Sequence, residues 1–122
     1  MLYGQEKLST CKPDLIRLFT EVGKVLDCEA REGHRGEEAQ NKAVAEGNST
    51  KPWPAGNHNK LPSAAVDVIP RVPPGLDVWN IKDPQVEILW WRLTYCVLRT
   101  AERLGIKVRW GMDWNGDGNI MD

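Results

Sequence analysis

Histidine is scarce in this chain, with only His34 and His58 among 122 residues. Any site that uses imidazole has two to draw on, and carboxylates must supply the rest. The three cysteines, Cys11, Cys28 and Cys96, are odd in number and lack metal-ligand or redox spacing. That excludes a disulfide scaffold and reads as reduced, mostly buried thiols of a protein made in the cytoplasm. Charge of one sign is not in excess either: 16 basic side chains stand against 17 acidic ones. No strong field invites nucleic acid or an anionic membrane, so a charged partner has to be recognised locally. No apolar run approaches the length that spans a bilayer, and the opening MLYGQEKLST has neither the basic nor the apolar region of a signal peptide. The expected location is the cytoplasm of the producing cell. Internal repeats and low-complexity tracts are absent, and 122 residues suit one domain with one core. Without an evident apolar seam, the expected state is a monomer.

What the chain does contain is helical and strand periodicity in alternation. A first helix is expected from about Pro13, with Leu15, Leu18, Phe19, Val22, Val25 and Leu26 forming its buried stripe. The segment DCEAREGHR alternates Cys28 and Ala30 with charged neighbours, which predicts a half-exposed strand running into a turn at Gly33. Gly36 to Glu46 reads as a second helix, with Glu37 and Glu38 in its first turn and Gly47 as its stop. NSTKPWPAGNHNKLPS is an irregular loop by composition, and long loops in small domains are usually functional or mobile. AAVDVIP predicts a second strand ended by Pro70. Residues 84 to 104 carry the strongest helical stripe, from Val86 and Leu89 through Trp90, Leu93, Cys96, Val97 and Ala101 to Leu104, and Gly105 closes it. IKVRW is expected to be a last strand. The order predicts an α+β fold with helices packed on a small, mostly antiparallel sheet.

Three residues stand out chemically. Asp67 sits among Ala64, Ala65, Val66, Val68 and Ile69, where an ionised carboxylate is costly unless paired or bound to a metal. Strand alternation offers the plain alternative, in which Asp67 turns to solvent. His58 arrives nine residues earlier, and a histidine with a carboxylate supplies two of the three protein ligands of a catalytic zinc; a surface histidine is the plain alternative. Arg35 follows a glycine turn and precedes a helix, where its planar donors suit a carbonyl or a carboxylate, or simply water. Trp90 belongs to the core stripe of the long helix, whereas Trp53 and Trp79 lie in proline-rich loops, where packing over the core is the commoner use.

Together GHRGEEAQ, HNKLPSAAVDVIP, RLGIKVRWGMDW and NGDGNIMD, in this order, resemble the zinc LD/DD-peptidases of phage endolysins and related cell-wall enzymes. That family includes phage L-alanyl-D-glutamate endopeptidases and VanY-type D-alanyl-D-alanine carboxypeptidases. The resemblance implies a Hedgehog/DD-peptidase-like fold, zinc held by His58 and Asp67, and catalytic roles for Arg35 and Gln40. It implies hydrolysis of an amide in the peptidoglycan stem peptide, with a water activated at zinc, a carboxylate as proton carrier and Arg35 stabilising the oxyanion. It also implies action on the cell wall after release from the cell. His34 matches a common family residue and is assigned no role.

The chain departs from the family at two places. Gly56 stands where the family usually has serine, which puts a supporting hydrogen bond in question. The acidic-x-x-His segment that carries the base and the third zinc ligand does not occur in residues 1–122. The expectation is therefore a single peptidase domain that lacks its C-terminal catalytic segment and is weakly active or inactive as it stands. The alternative is a non-catalytic module that binds cell wall or calcium. Asp113, Asn115, Asp117, Gly118 and Asn119 follow the spacing of a calcium loop, and Asp122 is a further candidate oxygen ligand; a plain acidic glycine turn is the other reading.

Overall fold

The computed structural model describes residues 1–111, and the candidate calcium ligands Asp113, Asn115, Asp117, Asn119 and Asp122 lie outside the described residues. The element order is β1 (Leu2–Tyr3), α1 (Gln5–Leu8), α2 (Pro13–Gly23), β2 (Cys28–Glu32), α3 (Glu37–Ala45), a 3-10 turn at Asn57–Asn59, β3 (Asp67–Pro70) and α4 (Pro84–Leu104).

Helix α4 is where local chemistry speaks most plainly. Asp83 accepts from the Gln85 N–H at 2.9 Å, and Pro84 opens the first turn without needing a donor. At the far end Gly105 takes a left-handed φ of 70°, which lets the Ile106 N–H reach back to the Ala101 carbonyl at 2.9 Å. That is a Schellman closure. The expected stripe is buried at Val86, Trp90, Leu93, Cys96, Val97 and Ala101, and it packs on Leu18, Phe19 and Val22 of α2 and on Val68 and Ile69 of β3 in one core. Helix α2 ends at Gly23, earlier than its apolar pattern suggested, so Val25 falls beyond the last turn and is exposed instead of buried.

The sheet has the order β1-β2-β3, with β1 parallel to β2 and the longer β2–β3 pairing antiparallel. Cys28 faces Pro70, Glu29 faces Ile69 and Ala30 faces Val68; a bulge then skips Arg31 and sets Glu32 opposite Asp67. Two expected strands are shorter or absent. Ala64 to Val66 do not join β3, because the Ala64 N–H bonds the Asn57 carbonyl and the Ala65 N–H bonds the Ser63 hydroxyl. Ile106 to Trp110 keep an inside-outside alternation but form no strand, having no ladder to join among the described residues. Trp110 instead packs on Phe19, ring centroids 6.4 Å apart, and its indole N–H reaches the Thr94 hydroxyl at 2.9 Å.

All three thiols are free and buried. Burial pushes the Cys28 thiol up to about 11 and raises that of Cys11 as well. Both stay protonated at neutral pH and are poor nucleophiles, as the reduced, structural reading requires.

Candidate active site

The site forms where the loop after β2, the 3-10 turn and the start of β3 meet. Gly33 makes this meeting possible, since a Cβ there would lie 2.3 Å from the Lys7 carbonyl oxygen and 2.3 Å from the Thr10 hydroxyl. Close approach at Gly33 aims its own carbonyl at His58, whose Nδ1 lies 2.7 Å away. The same loop is strapped again by the Arg35 N–H donating to the His58 carbonyl at 2.7 Å. With Nδ1 engaged by the backbone, the Nε2 atom faces Asp67, 3.4 Å from Oδ1. His58 is thereby oriented as metal-binding histidines usually are, one nitrogen fixed by a carbonyl and the other free to donate a lone pair.

Asp67 is 52% exposed at its side chain, so the strand does turn it outward as alternation suggested. Outward here means toward His58 and Arg35, not into bulk water alone: Arg35 Nη2 stands 3.8 Å from its second oxygen. Asp67 therefore lies on the outer face of its strand with His58 and Arg35 as partners.

Burial pulls the His58 pKa down, but the hydrogen bond and charge of Asp67, with the Gly33 carbonyl, outweigh it and hold the pKa above the ordinary value. The protonated ring donates at both nitrogens, to Gly33 and to Asp67.

The donor set fits zinc at two corners. Two donors bound tetrahedrally about 2.0–2.2 Å from one ion stand roughly 3.4 Å apart, and the His58–Asp67 separation is 3.4 Å. No third His, Cys, Asp or Glu completes such a group among the described residues.

Arg35 is held more firmly than its sequence context suggests. Its Nε and Nη2 donate to the two oxygens of Glu32, each at 2.9 Å, and Nη1 donates to Gln40 Oε1 at 2.9 Å. Gln40 is 1% exposed, and its carboxamide is fully used. Its oxygen also accepts from Asn59 Nδ2 at 3.0 Å, while its nitrogen donates to the Ser49 hydroxyl at 3.0 Å and to the Lys51 carbonyl. Gln40 is thus placed to hold Arg35 and the Ser49–Lys51 loop in register, with no hydrogen-bonding position left for a reacting atom. A cleft of about 400 Å³ opens beside these groups, lined by Arg35, Ser49, Thr50, Asn57, His58 and Ala65 among others. A hollow of about 370 Å³ between α1 and α2 is mainly apolar and offers Lys24 as its one ionisable side chain.

Glu32 and Asn59 had not been singled out in the sequence. Asn59 is buried and donates to the Arg35 carbonyl at 3.0 Å as well as to Gln40, while its oxygen accepts the Gly56 N–H at 2.9 Å. It fills the space beside Gly56: a Cβ there would lie 2.9 Å from Asn59 Oδ1 and 3.3 Å from Gln40 Nε2. Restoring the family serine by Gly56→Ser is therefore expected to destabilise the protein by about 1–3 kcal/mol, the usual cost of overpacking. Thermal denaturation reads this directly, and an unchanged Tm would mean that Asn59 yields without cost. His34 donates its backbone N–H to the Thr10 hydroxyl at 2.8 Å, a structural bond that leaves its ring without an assigned role.

The family model of phage L-alanyl-D-glutamate peptidases matches residues 3–122. Among solved structures, the crystal structure of the L-Ala D-Glu endopeptidase ChiX of Serratia marcescens aligns with a TM-score of 0.73. The two chains are 24% identical, and the match covers 98% of this chain and 86% of that one. At that identity the likeness speaks for the fold. No curated protein matches the chain.

Proposed function

The chain belongs to the phage L-alanyl-D-glutamate peptidase family, and from that premise we propose that it is a zinc-dependent peptidoglycan peptidase cutting the L-alanyl-D-glutamate amide of the stem peptide. The observation that carries the zinc is the 3.4 Å separation of His58 Nε2 and Asp67 Oδ1, with the other histidine nitrogen anchored to Gly33. His58 and Asp67 would hold the ion, which supplies Lewis-acid activation of water and of the scissile carbonyl when bound.

The remaining work falls to residues beside these ligands. Arg35 carries a permanent charge, raised further in pKa by its hydrogen bonds to Glu32, and it turns its Nη2 end toward Asp67. A guanidinium fixed there stabilises negative charge growing on a carbonyl oxygen without having to reorganise during the reaction. Gln40 accepts from it on the far side, and Asn59 holds the backbone carbonyl of Arg35. The adjoining cleft, with its hydroxyls and amides, suits a polar peptide in extended form.

A second reading, a cell-wall binding module without turnover, is favoured by one observation: only two ligands come together among the described residues. Two ligands hold zinc weakly, so on the peptidase reading turnover is expected to be slow but detectable over long incubation. Purified peptidoglycan incubated with the protein and zinc separates the readings by mass spectrometry of the soluble products. Peptides beginning at D-glutamate support the endopeptidase. Release of D-alanine would assign a carboxypeptidase instead, and retention on sacculi with no soluble fragment would favour the binding module.

A further inference from the structure

Glu32 sits opposite Asp67 across the β2–β3 ladder only because the bulge skips Arg31. Two carboxylates directly opposite one another repel, so the arrangement needs a cation between them, and Arg35 is that cation. Its sharing is unequal. Both Glu32 oxygens lie 2.9 Å from Nε and Nη2, whereas Asp67 is 3.8 Å from Nη2.

We propose that Glu32 is a positioning residue that holds the Arg35 guanidinium side-on and so prevents it from closing on Asp67, leaving that carboxylate free to bind the metal. This rests on the zinc reading given above and adds to it a competition internal to the protein. A guanidinium forms its best pair with a carboxylate through two parallel hydrogen bonds. Asp67 stands within about one ångström of such a contact, and a released Arg35 would take it. A captured Asp67 would have to be freed before it could bind an ion. Glu32 and Gln40 together engage all three guanidinium nitrogens, including Nη2, the one that also faces Asp67. What remains exposed toward the metal corner is the end of the group, at a distance that allows electrostatic support without occupation of the ligand.

The test measures zinc affinity by competition with a chromophoric chelator, with melting temperature recorded for each variant. Glu32→Gln is expected to weaken zinc binding by about tenfold to a hundredfold, the range found when a group orienting a metal ligand is lost. Glu32→Asp keeps the charge but draws the carboxylate back by one methylene, so from the same backbone position its oxygens fall short of Nε and Nη2, and it is expected to weaken binding almost as much. In an Arg35→Ala background the clamp has nothing to restrain, and Glu32→Gln should change affinity by less than about threefold, well inside that range. A role through charge alone predicts wild-type affinity in Glu32→Asp and the same loss from Glu32→Gln in both backgrounds; either result overturns the proposal. If Arg35→Ala does not fold, the Glu32→Asp measurement still decides. Zinc binding by the wild type that is lost in His58→Ala but unchanged in Glu32→Asp sinks the clamp and leaves the metal reading standing. Wild-type binding that His58→Ala leaves unchanged overturns both.

Discussion

His58→Ala is expected to weaken zinc binding by more than about a hundredfold, roughly 3 kcal/mol or more, because losing even an outer partner of a metal ligand commonly costs tenfold to a hundredfold. Asp67→Ala should match it, since each residue supplies one of two described donors set 3.4 Å apart. The two losses should not add, because a single remaining donor holds the ion hardly better than none. Zinc affinity of the wild type should also fall as pH drops through the His58 pKa, which Asp67 and the Gly33 carbonyl hold above its ordinary value against the opposing effect of burial. The sign follows from competition: the proton and the ion need the same Nε2 lone pair, and binding zinc releases the proton. Titration at several pH values with calorimetric or chelator readout checks both statements. An affinity that His58→Ala leaves intact, or that does not change across this range, removes the zinc assignment.

Trp90→Ala is expected to be the most damaging single change to stability, at about 3–5 kcal/mol, which is the range for deleting a fully buried large aromatic. Trp90 is 0% exposed, donates its indole N–H to the Val78 carbonyl at 2.8 Å and packs at a tilt on Trp79 with centroids 6.0 Å apart. Truncation would open a cavity at the centre of the α2–α4–sheet core and orphan a carbonyl. Melting should drop by roughly 10–20 °C for a domain of this size. Its neighbour Trp91 is 42% exposed on the outer face of α4, and Trp91→Ala should cost less than about 1 kcal/mol. Comparable losses at the two positions would show that the helix is rotated from the orientation described.

The burial of Trp90 was readable from the sequence, and so was the helix that carries it. Asp83, Pro84 and Gly105 act within one turn of themselves, and the apolar spacing between them is a property of the helix alone. Elements of about a single period were not readable: β1 has two residues and α1 four, too few for a pattern to repeat. Val25 and the stretch 106–110 mark a second limit. Apolar spacing and alternation describe which side chains would face inward if an element formed, but the last turn of α2 and a strand at Ile106 also need neighbours, and those are set elsewhere in the chain.

The site divides the same way. Side-chain chemistry pointed to His58, Asp67 and Arg35 because each residue type has few uses in such surroundings, and the resemblance to cell-wall peptidases added Gln40. Glu32 looked like one more polar residue on a half-exposed strand, and Asn59 like one more amide in a loop. Their importance depends on a bulge that moves the register by one residue and on a glycine that admits close approach of α1. Local sequence by itself determined α4, its two ends and the kinds of donor available, since these follow from interactions within a few residues. Only the tertiary structure decided that His58 and Asp67 lie one tetrahedral edge apart and that Glu32, not Asp67, holds the arginine, because both depend on contacts between segments 25 to 35 residues apart in the chain.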